Sequence, residues 1–272
     1  MPKISVISGV YNGMGCPHFR ESIESILGQS FSDIEFIICD DGSTDATLEV
    51  LIEYERRDRR IKVIKNKNNM GLAAALNKCL ELSQGEYIAR HDLDDYSAKD
   101  RFKKQLTYLE SHREVGLLGT AVWLFDENGV WGKEILPRRV GSKDFLFTSP
   151  YKHGSVMFRA SEIKRAGGYR VAKETLRNED YDLFMRMQLF TVGENLPEPL
   201  YIFCEDKGAF ERRKYRYRIN EAKVRHAGFK RLGLMPRGFP YVVKPLAVGL
   251  IPRFVLKRLR NKRRKEENKC NL

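Results

Sequence analysis

From Ile4 to Arg90 the sequence alternates between two hydrophobic periodicities, and that alternation leaves few architectures open. Ile4-Ser5-Val6-Ile7-Ser8, Ile34 to Cys39, Ile61 to Ile64 and Glu86 to Arg90 are short runs rich in β-branched and aromatic residues, as strands are. Between them, apolar residues recur at helical spacing: Phe19, Ile23, Ile26 and Leu27, then Leu48, Leu51 and Ile52, then Leu72 through Leu82. Pro17 stands near the start of the first of these helices, where its missing N–H costs nothing. Strands that alternate with helices predict an α/β chain with a mainly parallel sheet and helices on its faces.

Open sheets of this kind bind ligands beyond the carboxyl ends of their strands. Two strands here end in acids. Glu86 to His91 runs into Asp92-Leu93-Asp94-Asp95, and Ile34 to Cys39 runs into Asp40-Asp41-Gly42-Ser43-Thr44-Asp45. Carboxylates this close repel one another unless a cation or a bonded network holds them. Oxygen ligands suit a hard divalent ion such as Mg²⁺ or Mn²⁺. A solvated acidic turn is the competing reading of Asp92 to Asp95. Helix capping accounts for Ser43, Thr44 or Asp45 but leaves Asp40 and Asp41 without a role. A carboxylate at that edge can accept the N–H of a uracil-like base or a ribose hydroxyl.

Six blocks occur in a telling order. They are Ser5-Val6-Ile7 with Tyr11-Asn12, Asp40 to Asp45, Asn69-Met70-Gly71-Leu72-Ala73 with Asn77, Asp92 to Asp95, His153 to Arg159, and Asn178 to Leu183. In this order they resemble the family 2 glycosyltransferases over residues 3–204. The resemblance implies a GT-A fold, a nucleotide-diphosphate sugar donor (a UDP-sugar is favoured), a divalent cation (Mn or Mg) and inversion at the anomeric carbon. It implies an acceptor that is a saccharide or lipid-linked saccharide in surface polysaccharide synthesis. By the same resemblance, Asp94 and Asp92 face the metal, with Asp92 nearer the ribose and Asp95 supporting either role. Asp41, with Asp40 as second candidate, faces the nucleobase, and Asp180 is the general base. His153 is a weaker candidate at the diphosphate or acceptor.

Each of these residues also has a plainer reading. Asp180 could be a helix-start acid favoured by the macrodipole, with Glu174, Glu179 and Asp182 close by. His153 could be a bonded structural imidazole. Arg90 could pair with the acids that follow it or approach the diphosphate, and surface ion pairing is its plainer reading. The sequence also departs from the family beyond Tyr201-Ile202-Phe203-Cys204. Many relatives carry an Arg or His there with a Ser beyond, whereas this chain has Glu205-Asp206-Lys207-Gly208.

The net charge of +13 is unevenly spread. Residues 1–204 hold 28 Lys+Arg against 30 Asp+Glu, and residues 205–272 hold 21 against 6. The basic excess therefore lies wholly in the last quarter. Arg212 to Arg218 opens a basic, mostly helical stretch that runs to Lys230. Leu246 to Ile251 is apolar, and Phe254, Val255, Leu256 and Leu259 follow among Arg253, Lys257, Arg258, Arg260 and Lys262 to Lys265. The apolar run is far shorter than the roughly 20 residues of a spanning helix. Bulky apolar side chains among clustered cations suit the surface of an anionic membrane. The expected organisation is a catalytic domain over 1–204 and a basic helical extension over 205–272, which associates peripherally with the inner face of the cell membrane. A solvated tail and nucleic-acid binding are the alternatives for that segment, and the interleaved apolar residues argue against nucleic acid. The five scattered cysteines include no C-x-x-C pair and point to a reducing, cytoplasmic compartment. The N-terminus leads directly into the first strand, so no signal peptide is expected.

Three other functions fit less well. A sugar nucleotidyltransferase shares the α/β body, but its first strand leads into a Gly-rich basic loop. Here Gly9 to Gly15 is followed by no Lys or Arg until Arg20. A glycoside hydrolase also uses two carboxylates, yet it has no use for a nucleotide-type sheet edge. A non-catalytic basic membrane-binding module needs no acids at two strand ends.

Overall fold

The computed structural model describes residues 1–204 and 214–252, together with Val255 and Arg258. Its first half is the expected alternation. Strands β1 (Ile4–Val10), β2 (Ile34–Asp40), β3 (Ile61–Lys65) and β4 (Tyr87–Arg90) lie in the order β3-β2-β1-β4, all parallel. Helices α1 (Phe19–Leu27), α2 (Thr47–Arg57) and α3 (Leu72–Leu82) make the crossovers. Every residue of β2 is buried, which is why it reads as an almost unbroken apolar run. Its side chains alternate between two cores. Ile37 and Cys39 join Ile7 and the α3 residues Ala75, Leu76 and Cys79 on one face. Phe36 and Ile38 join Val6 and the α1 residues Phe19, Ile23 and Ile26 on the other. Gly9 lets α3 sit close on β1, since a Cβ there would lie 3.0 Å from Ala75.

The second half is mixed. Strand β8 (Met157–Arg159) pairs antiparallel with β4 and carries the sheet on to β6 (Val115–Asp126), β9 (Val192–Cys204) and β5 (Tyr96–Ser97). Strand β7 (Gly129–Glu134) forms a hairpin with β6. Helices α4 (Arg101–Ser111), α5 (Ala160–Arg165) and α6 (Glu179–Met187) pack around this half. The mainly parallel character is thus confined to the nucleotide-type half, and a curled mixed sheet completes the α/β body.

After β9 come helices α7 (Tyr215–Arg231) and α8 (Phe239–Leu250). They are not a detached appendage. Ala222, Val224 and Phe229 of α7 and Val242 of α8 share one apolar cluster with Leu183, Phe184 and Met187 of α6. The stretch read as a membrane-facing segment is therefore divided. Val242 and Pro245 are turned inward, while Phe239, Val243, Leu250 and Ile251 are exposed. No described helix is long and apolar enough to cross a membrane. Glu205-Asp206-Lys207-Gly208, Arg212, Arg213 and the basic residues from Arg253 onward, apart from Arg258, lie outside the described residues.

Candidate active site

Strand β1 runs between β2 and β4, so the three carboxyl ends open on one edge, with Val10 beside Asp40 and Ile7 beside Arg90. A cleft of about 810 Å³ lies there, lined by Tyr11, Asn12, His18, Asp92, Asp94, Asp126, Glu127 and Arg177 among others.

The three acids after β4 have three different environments. Asp92 is partly buried. Its carboxylate pairs with the guanidinium of Arg90, and its N–H donates to Tyr201 Oη at 3.1 Å. Asp94 is exposed in the cleft. Asp95 is buried and accepts the Cys204 N–H at 2.7 Å. Burial, with Asp94 and Asp92 alongside, holds its carboxyl well above the usual carboxylate range. Arg90 does pair with one of the acids that follow it, as the sequence allowed, but the pair is built on a fully buried guanidinium and not at the surface.

A buried polar scaffold supports this loop. His91 lies between Ser22 Oγ at 2.9 Å and Ser97 Oγ at 3.3 Å, and burial holds its pKa well below the ordinary imidazole value. Arg101 donates to Ser97 Oγ at 2.8 Å, to Gln105 Oε1 at 3.0 Å and to the carbonyl of Arg90 at 2.8 Å. Burial pushes the Arg101 guanidinium down to about 10. Networks whose members are satisfied in this way fix one geometry, because any lost partner leaves a costly buried group.

Asp40 and Asp41 are built into the floor behind the cleft. Asp40 is fully buried, and its two oxygens lie 3.3 and 3.4 Å from the Ser43 N–H. Asp41 accepts from Asn66 Nδ2 at 2.7 Å, the Met70 N–H at 2.9 Å and the Gly71 N–H at 2.7 Å. It thereby latches the loop that starts α3, where Gly71 adopts φ 90°. Its own N–H donates to the carbonyl of Val10, a cleft residue, at 2.7 Å. Neither carboxylate is among the described groups lining the cleft. Asn12 ties the tips of β1 and β2 together. Its N–H donates to Ser43 Oγ at 2.9 Å and its Oδ1 accepts the Thr44 N–H at 2.8 Å.

Asp180 opens α6 and is partly exposed. Its charge and that of Asp92 act on the same two groups, His153 and Tyr169, and Arg90 acts on both as well. Asp92, Asp180 and Arg90 are thus all within electrostatic range of His153 and Tyr169, although Asp180 and His153 are not among the described residues lining the cleft. Asp182, one turn face away, is committed elsewhere, paired with Arg170 at 3.0 Å and Arg186 at 2.8 Å. Among the described residues, no hydrogen bond or ion pair takes up the Asp180 carboxylate in that way. Next to it, Glu179 is buried, and burial with the Asp180 charge pushes its carboxyl up to about 7.

His153 bonds through Nε2 to Tyr169 Oη at 2.8 Å, and desolvation with Arg90 nearby pushes it down to about 4. The backbone of Tyr169 is held in turn by both ends of the Asn77 amide, at 2.8 and 2.9 Å. His153 is therefore a neutral, bonded imidazole at physiological pH.

The donor set fits a hard divalent ion in one particular sense. Among the described residues no three His, Cys, Asp or Glu side chains form a ready-made cage. Asp92 and Asp94 instead put one or two carboxylates on an open cleft, the arrangement of an ion that completes its shell with substrate phosphates and water.

Comparison with known proteins agrees with this geometry. The model of the family described as Glycosyl transferase family 2 matches residues 5–174. A protein of Bacillus subtilis (strain 168) named as a glycosyltransferase, EpsE, is 43% identical over 265 residues, covering 96% of this chain and 94% of its own. The UDP-Gal:alpha-D-GlcNAc-diphosphoundecaprenol beta-1,3-galactosyltransferase of Escherichia coli is 30% identical over 232 residues, covering 83% of this chain and 82% of its own. Among solved structures, S. aureus TarS in complex with UDP-GlcNAc superposes with a TM-score of 0.69 at 21% identity. That match covers 89% of this chain and 74% of TarS, and it is a likeness of fold.

Proposed function

The chain belongs to glycosyl transferase family 2, and we propose that it transfers a sugar, with inversion, from a nucleoside-diphosphate donor to a saccharide hydroxyl. The observation that carries this reading is the cleft at the carboxyl ends of β1, β2 and β4 with Asp92 and Asp94 in its lining, and the charge of Asp180, 88 positions further on, acts on the same His153 and Tyr169 as that of Asp92. A UDP-sugar is the favoured donor, supported by the name of the E. coli relative and by the ligand in the TarS complex. A glycan or lipid-linked saccharide of surface polysaccharide synthesis is the acceptor, again in keeping with that relative's name.

Asp94, with Asp92 behind it, would hold Mn²⁺ or Mg²⁺. When bound, such an ion neutralises charge that builds up on the departing diphosphate, and so favours the transition state over the ground state. Tyr11 is 47% exposed at the cleft and offers an aromatic face on which a base can stack. Asp180 removes the proton of the acceptor hydroxyl as its oxygen bonds to the anomeric carbon. The bond from that carbon to the diphosphate oxygen breaks in the same displacement, and the diphosphate leaves with the electron pair. His153, neutral and bonded to Tyr169, transfers no proton. Outside the catalytic body, the exposed Phe239, Val243, Leu250 and Ile251 and the basic last quarter support peripheral attachment to an anionic membrane.

A panel of sugar nucleotides tested with and without Mn²⁺ or Mg²⁺ examines the donor reading. Release of UDP or GDP only with the ion present is expected, and no release from any donor would overturn it. Asp180→Asn should lower turnover by about 10²-fold or more while sparing UDP binding. Near-normal turnover in that variant would overturn the base assignment.

A further inference from the structure

Among the described residues, two other than glycine have a left-handed backbone, Asn12 at φ 53° and Arg177 at φ 69°. Both line the cleft. For an L-residue this conformation costs on the order of 1 kcal/mol, and such strain gathers at functional sites. Asn12 has a local return, because its backbone and side chain bond Ser43 and Thr44. At Arg177 only the backbone has such a return, its N–H meeting the Glu179 carboxyl. Its side chain is exposed, and the tight turn from Thr175 to Asn178, closed by an N–H···O bond of 2.7 Å, delivers it to the cleft wall just ahead of α6. Glycine would take up the same backbone without strain.

The electrostatic setting gives the guanidinium its meaning. The described lining includes Asp92, Asp94, Asp126 and Glu127, and Arg177 is the only Lys or Arg among the described lining residues. Its charge also acts on Glu179 and on Tyr217 of α7, so it lies within reach of the turn that carries Asp180. A donor with a doubly charged diphosphate must enter a cleft walled by carboxylates. A guanidinium can meet phosphate oxygens with two parallel donors.

Resting on the donor reading above, we propose that Arg177 is a catalytic residue that binds the diphosphate of the nucleotide sugar and stabilises the charge gathered there as the sugar–oxygen bond breaks. Its left-handed backbone is what aims it.

The test compares Arg177→Gly and Arg177→Lys with the unaltered chain, using UDP and uridine as probes in the presence of Mn²⁺. Arg177→Gly relieves the strained backbone, so its melting temperature should hold or rise. Its kcat with a cleaved sugar nucleotide should fall about 10²-fold, the usual loss when one donor to developing charge is removed. UDP binding should weaken about tenfold, as loss of one charge-assisted bond predicts, with uridine binding unchanged. Arg177→Lys should recover part of the kcat. Equal weakening of UDP and uridine with a lower melting temperature would mark Arg177 as scaffold and overturn the proposal, as would turnover within twofold of the unaltered chain. Failure of the unaltered chain to bind UDP or GDP would instead refute the donor reading.

Discussion

Replacing Gly154 by alanine should injure the site through Asp92 while leaving the sheet intact. An added Cβ would lie 2.0 Å from Tyr201 Oη, 2.5 Å from Tyr201 Cζ and 2.9 Å from Asp92 Oδ2. Ordinary contact requires a displacement of the tyrosine tip on the order of 1 Å. The ring has no room to swing, since Tyr201 is fully buried against His91, at 5.8 Å between centroids, and under the Arg101 guanidinium, at 5.1 Å. Overpacking of a rigid core site costs about 1–3 kcal/mol. Losing the hydrogen bond from the Asp92 N–H to Tyr201 adds about 1 kcal/mol. A total of about 2–4 kcal/mol lowers the melting temperature by roughly 5–15 °C in a chain of this size. The functional loss should be larger than the stability loss suggests. Asp92 is touched directly, and a misplacement on the order of 1 Å at a reacting centre costs about 10²-fold. Thermal unfolding and ion-dependent nucleotide release measure the two effects. Gly141→Ala is the control, because its Cβ would meet only Asp144 Oδ2, at 3.7 Å. If Gly154→Ala matched that control in both assays, the tight coupling of Gly154, Tyr201 and Asp92 would be refuted.

Two further outcomes are expected. Glu179 binds its proton more tightly folded, at about 7, than unfolded, near 4.5, so the chain should lose stability as pH rises between those values and level off above them. Glu179→Gln removes this loss: in urea titrations it should gain on the unaltered chain by up to about 3 kcal/mol at pH 8 and converge with it near pH 5, and parallel profiles would exclude the linkage. Truncation after Pro252 spares α8 but removes the terminal basic residues. It should abolish co-sedimentation with anionic vesicles at low salt, at about 1 kcal/mol per cation lost, and retained binding would refute the membrane reading.

The parallel half of the fold was legible because strands buried on both faces leave a compositional mark. Ile34 to Cys39 lies within β2, and Leu72 to Leu82 is α3 to the residue. The mixed half left no comparable mark. Strand β9 contains Pro197 and Pro199, which read as loop, and its pairing with β6 shifts register around Thr120 and Ala121 to accommodate that stretch. At the site, the blocks around Asp92 and Asp180 were visible as patterns of residue type, whereas most of their partners were not. The pairing of Arg90 with Asp92 was open from the sequence, since the Arg precedes the acids, but the complete burial of that Arg was not. The latch formed by Asp41 had no signal. Two of its three donors are backbone N–H groups, of Met70 and Gly71, which every sequence offers alike. The left-handed turn at Arg177 had no signal either, since an Arg carries no local preference for that conformation.

The acid loop also explains how three neighbouring carboxylates persist in a folded chain, and which of them suits an ion best. Asp95 is buried, with a raised pKa, so its neutral form is favoured and it adds less to the repulsion. Asp92 is already balanced by Arg90, a guanidinium with no exposure to water. An ion placed on Asp92 alone would therefore compete with a buried cation for the same oxygens, which weakens it as the principal ligand. Asp94 is the exposed member and lines the cleft, and the Arg90 charge reaches it as well as Asp92. On the proposed function the loop separates fixing from binding: Asp95 and Asp92 hold its shape, and Asp94 would face the ion. One exposed carboxylate attracts a divalent ion weakly, and the oxygens of a diphosphate supply what the chain does not. Ion and donor should consequently bind cooperatively, each raising the affinity for the other by the same factor. The shape of the loop itself rests on buried bonds within the chain, those of Asp95, His91 and Arg101.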